Sequence, residues 1–158
     1  MKKLGYLASG ELVVDRQKSH IHPGLDEFLV PALARVVSLG RDRCIDEVDF
    51  GRVIGETHCV TTTPDDKIIF AQRENRLGLS RFAPERKPEP CTVATVVLRK
   101  NDEGEGYVLL TAFIGYKAEP EPWDRNATEA SVPFWNTHAL VPEGSRIVLE
   151  TATLKCPW

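Results

Sequence analysis

YVLLTAFIGY, residues Tyr107 to Tyr116, decides how the chain is read. Ten residues of aromatic, β-branched and aliphatic type stand between Gly104-Glu105-Gly106 and Lys117, which is the composition and punctuation of a strand. Side chains alternate along a strand, so one face carries Val108, Leu110, Ala112 and Ile114, and the other Tyr107, Leu109, Thr111 and Phe113. Thr111 is the one hydroxyl of the inner run. It is either bonded to a neighbouring strand or offered to a ligand from an open face.

Working outward, Thr92–Lys100 (TVATVVLRK) is a second β-rich run, and Asn101–Gly106 is a turn that makes it the antiparallel partner of Tyr107–Tyr116. Thr57–Thr63 and Lys67–Arg73 form another hairpin, with Thr63-Pro64-Asp65-Asp66 as its turn. Asn75–Pro90 is a long loop with an extended piece near Leu79–Phe82, and Ser145–Leu154 a last strand. Leu12-Val13-Val14 is a short strand or arm. Leu25, Phe28, Leu29, Leu33, Val36 and Val37 share one helical face, with Gly40 placed to end the helix and Pro31 to bend or divide it. Cys44–Ile54 reads as a turn with a short helix or strand, 118–133 as acidic, Pro-rich and irregular, and Val132–Leu140 as a short helix. These elements predict an α+β fold: an N-terminal helix packed on an antiparallel sheet of four or more strands, in one domain of 158 residues.

Composition bounds the function. Hydrophobic residues make up 42% and charged residues 27%, the balance of a globular chain. No apolar run reaches the ~18 residues of a membrane span, and Met1–Gly10 lacks the apolar core of a signal peptide, so a cytoplasmic protein without membrane partners is expected. Cys44, Cys59, Cys91 and Cys156 are scattered, which predicts free thiols, no disulfide and no metal or other cofactor. The net charge of −3 disfavours a non-specific nucleic-acid coat, but between residues 73 and 87 five basic residues meet two glutamates.

Four places carry chemistry. His20-Ile21-His22 precedes the helix; histidine needs only a positioned neighbour to act as acid or base. His58 lies in a strand and, with the His20/His22 pair, gives a metal-enzyme reading that ranks last for want of ligands. Arg73, Arg76, Arg81, Arg86 and Lys87 are dense enough to hold phosphate. Phe134-Trp135-Asn136-Thr137-His138 sets stacking surface beside hydrogen-bonding groups, as single-stranded RNA binding requires.

The order of these parts resembles the BECR superfamily of barnase-like, EndoU-like, colicin-type and RelE-like ribonucleases, in its phage- and toxin-associated branches. The likeness lies in His20-Ile21 before the helix and Leu110-Thr111-Ala112 in the strand, and covers residues 19–117; 118–158 form an extension outside it. Many such toxins are basic, unlike this chain. The resemblance implies metal-independent cleavage of single-stranded RNA by attack of the 2′-hydroxyl on the adjacent phosphate, in a toxin or phage-derived nuclease, with an inhibitor or immunity protein as a possible partner. His20 or His22 would then be the general base, the other or His138 the acid, Arg73 and Arg76 the phosphate clamp, and Thr111 a donor to a phosphate oxygen. Arg76, Arg81, Lys117 and Trp135 would bind the RNA. The alternative is a non-catalytic accessory or partner-binding protein on the same scaffold.

Overall fold

The computed structural model describes residues 2–15 and 20–158, and of His20 the backbone alone. In chain order the first elements are β1 (Lys2–Tyr6), β2 (Leu12–Asp15), β3 (His20–Ile21), α1 (Asp26–Leu33), β4 (Arg43–Asp49), β5 (Gly55–Thr57), β6 (Cys59–Thr61) and β7 (Ile69–Arg73). Then follow β8 (Leu79–Phe82), β9 (Glu89–Cys91), β10 (Val93–Lys100), β11 (Tyr107–Ile114), α2 (Ser131–Trp135), β12 (His138–Leu140) and β13 (Ile147–Thr153). Backbone contacts divide the chain into two compact units, Met1–Glu56 with Pro90–Lys117 and Thr57–Glu89 with Ala118–Trp158. β5 and β9 pair as a separate two-stranded sheet.

In the first unit the strand order is β1-β2-β11-β10-β4, with β3 also paired to β11. β10 and β11 form the expected hairpin, closed by the Asn101 amide donating to the Gly106 carbonyl. Gly106 has φ +81°, and a Cβ there would collide with the Leu12 carbonyl, so only glycine fits. β2 and β3 run parallel to β11, with His20 opposite Thr111 and Ile21 opposite Ala112. The register between β10 and β11 slips, Val97 facing Thr111 but Leu98 facing Leu109, so Leu110 is the extra residue of a β-bulge. The bulge reverses the alternation. Tyr107 and Leu109 enter the core with Ala112 and Ile114, while Leu110 is only half-buried. The expected face of Val108, Leu110, Ala112 and Ile114 is thereby corrected; Val108 is buried on the opposite side, paired with Val14.

α1 is eight residues long and ends at Leu33, not near Val37. Pro31 has no N–H for the helix ladder, and the chain leaves through tighter turns, Arg35 to Ala32 and Val36 to Leu33. Leu29, Ala32 and Leu33 join the core with Val96 and Leu98 of β10 and Val48 of β4, while Val37 is exposed. Gly40, at φ +72°, follows Leu39 at φ +52° in the turn before β4 rather than capping α1.

In the second unit the order is β13-β7-β8-β12-β6. The turn at Thr63-Pro64-Asp65-Asp66 forms, with the Asp66 amide bonded to the Thr63 carbonyl. The strands on either side of it do not pair: β8 and β12 stand between β6 and β7. β7 takes β8 and β13 as neighbours, and β12, expected as the end of a helix, inserts parallel to β8 and antiparallel to β6. The α+β expectation, one N-terminal helix on an antiparallel sheet, is therefore overturned. Among the described residues the protein is mostly β, 40% strand and 9% helix, in three sheets with two short helices. The local turn signals were sound, but strand partners were set by distant segments that local pattern does not name.

Candidate functional site

Strand register in the second unit brings three polar residues, Arg73, Ser80 and His138, to one face, and an irregular segment adds Glu121. Along β7, Arg73 shares a face with Ala71, which lies opposite Ser80 of β8. Leu140 of β12 lies beside Phe82. Carried two residues back along both strands, that parallel register sets His138 next to Ser80. Arg73 Nε donates to Ser80 Oγ (3.1 Å), and its Nη2 donates to Glu121 Oε2 (2.5 Å). Ser80 is fully buried and Glu121 nearly so, while the Arg73 side chain keeps 27% of its exposure. Arg73 Nη1 has no partner among the described residues. Cys59, opposite Leu140 in β6, reports on the same neighbourhood: burial first, and then the charge of Glu121, push its thiol up to about 11.

The segment supplying Glu121 is irregular, as expected, but held at both ends. Trp135 of α2 is buried and donates its indole N–H to the Glu119 carbonyl (2.9 Å). The Trp123 side chain sits against Gly78, where no Cβ would fit. Trp135, expected as an RNA-stacking residue, is instead the anchor of this loop; its ring is inside.

His138 is positioned through its other ring nitrogen. Nδ1 is 2.9 Å from the Phe134 carbonyl, an acceptor only, so Nδ1 carries the hydrogen, and the ring stacks on Phe134 at 3.9 Å and 2°. Thr137 Oγ1 also donates to that carbonyl. Nε2 is left to exchange protons, the arrangement that an acid–base histidine needs.

The basic run does not form one patch. Arg81 pairs in register with Phe70, so it projects from the face opposite Arg73. Its Nη1 donates to Thr62 Oγ1 (2.8 Å) and to the His138 carbonyl (3.0 Å). Burial pulls its pKa below the usual arginine value, opposed by Cys156 and Asp66 nearby. Arg86 is tied to Asp66 and Glu89. Arg76 is exposed and lines a cleft of about 290 Å³ with Arg73 and Arg146.

The remaining nominated residues belong to the first unit. Thr111 is half-buried on the sheet face away from the core, with partners of its own. The His22 amide donates to the Ala112 carbonyl, and its ring lies 5.9 Å from Phe113. Lys117 is exposed. The His20 side chain lies outside the described atoms. Arg73, Arg76, Arg81, Trp135 and His138 thus fall in one unit and His20, His22, Thr111 and Lys117 in the other.

Glu121 and Ser80 escaped the sequence reading. The available signal for Glu121 is Glu119-Pro120-Glu121-Pro122-Trp123, a carboxylate braced by two prolines and followed by an aromatic anchor. Among the described residues no three His, Cys, Asp or Glu side chains gather as a metal site requires, and no helix is long and apolar enough to cross a membrane. Compared with protein-family models, curated proteins and solved structures, the chain matches none.

Proposed function

We propose that this chain is a metal-independent endoribonuclease acting on single-stranded RNA, with its chemistry on the Arg73–Ser80–His138 face of the second unit. The observation that carries this is the placement of one face-sharing set: a guanidinium held by Ser80 and Glu121, and a histidine whose tautomer is fixed by Phe134. The phosphate approaches Arg73 Nη1, which offsets its developing charge. Glu121 takes the proton from the 2′-hydroxyl as that oxygen bonds to phosphorus. His138, protonated, gives its Nε2 proton to the departing 5′-oxygen, leaving a 2′,3′-cyclic phosphate and a 5′-hydroxyl. A toxin or phage origin and an inhibitory partner protein rest on the BECR resemblance alone, while the cytoplasmic setting and the metal-independent chemistry also draw on the scattered cysteines and the lack of a long apolar run.

A second reading, RNA or partner binding without catalysis, is favoured by one observation. Both donors of the Arg73 side-on fork, Nε and Nη2, already have internal partners. The test is cleavage of an RNA panel in EDTA. Formation of cyclic phosphate is expected, with His138→Ala slower by about 10²–10⁴-fold, the range for losing an acid or base. A protein that is folded by circular dichroism, binds RNA and cleaves none of it would leave the binding reading in place.

A further inference from the structure

We propose that the cleft between the β7–β8 turn and the turn entering β13 holds a second phosphate of the RNA strand, beside the one at Arg73. For its substrate this rests on the ribonuclease reading; the cleft itself stands on its own geometry. The cavity measures about 290 Å³ and is lined by Arg73, Arg76 and Arg146 against a single carboxylate, Glu74. Its two walls are tied to each other, because the Glu74 amide donates to the Arg146 carbonyl (2.7 Å). Each wall is a fixed turn. Asn75 holds φ +63° and Gly144 φ +82°, and the Gln72 side chain donates to the Arg76 carbonyl.

The donors in the cleft are open. Arg76 bonds the Asn75 carbonyl through Nη1 alone, so its Nε and Nη2, the fork that takes two phosphate oxygens, have no partner among the described residues. Arg146 meets Glu74 only at 3.6 Å, with its side chain 85% exposed, an ion pair that contributes little and yields to a phosphate. Ser145, between Gly144 and Arg146, adds a neutral hydroxyl. Arg73 belongs to both places, so a strand whose reacting phosphate meets Arg73 carries its neighbouring phosphate to the cleft. Substrates with two phosphates are therefore preferred to a dinucleotide.

The experiment uses thymidylyl-thymidine, which lacks the 2′-hydroxyl and is not cleaved, bare or with an added 5′- or 3′-phosphate. Binding is measured by calorimetry. One phosphorylated form is expected to bind about tenfold tighter than the bare one, the effect of one or two charge-assisted hydrogen bonds. That gain is expected to vanish in Arg76→Ala and in Arg146→Ala, exposed positions whose circular dichroism should not change. Equal affinities, a gain that survives both substitutions, or no binding by any form at millimolar concentration would overturn the proposal. So would inorganic phosphate abolishing the gain at equimolar concentration, which would make this a free-phosphate site. A phosphate gain without RNA cleavage overturns the nuclease reading alone; cleavage without the gain overturns the cleft alone.

Discussion

Two adjacent leucines test the bulge of β11. Leu109 is 1% exposed and belongs to the core of the first unit, whereas Leu110, the extra residue, is only half-buried. Truncating Leu109 to alanine removes fully buried carbons and leaves a cavity under α1 and β10, a loss of about 3 kcal/mol. At Leu110 much of the lost surface is already in water, so the cost is about 1 kcal/mol. Both substitutions exchange the same residue types in the same strand, so intrinsic strand preference cancels between them. The difference of about 2 kcal/mol corresponds to about 4–8 °C in midpoint for a chain of this size. Urea unfolding with a shared slope measures it directly. If Leu110→Ala costs as much as Leu109→Ala, or more, the register slip is wrong and the strand alternates without a bulge.

Three further outcomes are expected. Gly106→Ala should cost at least about 2 kcal/mol, since a left-handed backbone strain adds to a collision with the Leu12 carbonyl; Gly10→Ala, at φ +98° with open space around it, should show only the strain, and equal losses at the two would remove the steric account. Native protein at pH 8 should show one fast thiol toward an aromatic disulfide reagent, exposed Cys156, because Cys44 and Cys91 are buried and the Cys59 thiol is pushed up to about 11; Cys156→Ser should abolish that phase. The Asp66 carboxyl is held below its ordinary 3.8 by the Thr63 amide and by Arg86. Its folded pKa is depressed, so its contribution is present above 3.8 and is lost as pH falls through the folded value. Asp66→Asn should accordingly be less stable than wild type at neutral pH, with the gap closing in acid; a gap that stays constant to pH 2 contradicts the assignment.

How far the fold could be read from residues is clearest where it succeeded and failed side by side. The β10–β11 hairpin was legible because its turn residues and both apolar runs are local. Its bulge was not, because Leu109 and Leu110 are the same residue type and composition cannot say which one points inward. The turn at Thr63–Asp66 was real, but a turn fixes a reversal of direction and not a partner, and β12 enters from some 70 residues away to displace the expected pairing. Helical signals ran on to Val37 because Val36 and Val37 fit the periodicity, whereas Pro31 limited the helix itself. At the site, Arg73 and His138 stood out as residue types. Glu121 did not, since its burial depends on Trp123 and Trp135 anchoring a segment whose sequence reads only as acidic loop.

The chain crosses between the two units three times, at residues 56–57, 89–90 and 117–118. No single proteolytic nick can therefore yield two whole units. A break after Lys117 leaves a fragment that still carries β7 and β8 but has lost β12 and β13, so that both outer edges of that hairpin are bare. The second unit cannot be fused or transplanted as one contiguous gene segment without carrying residues 90–117 of the first, and during synthesis its sheet stays incomplete until residues 118–158 have emerged.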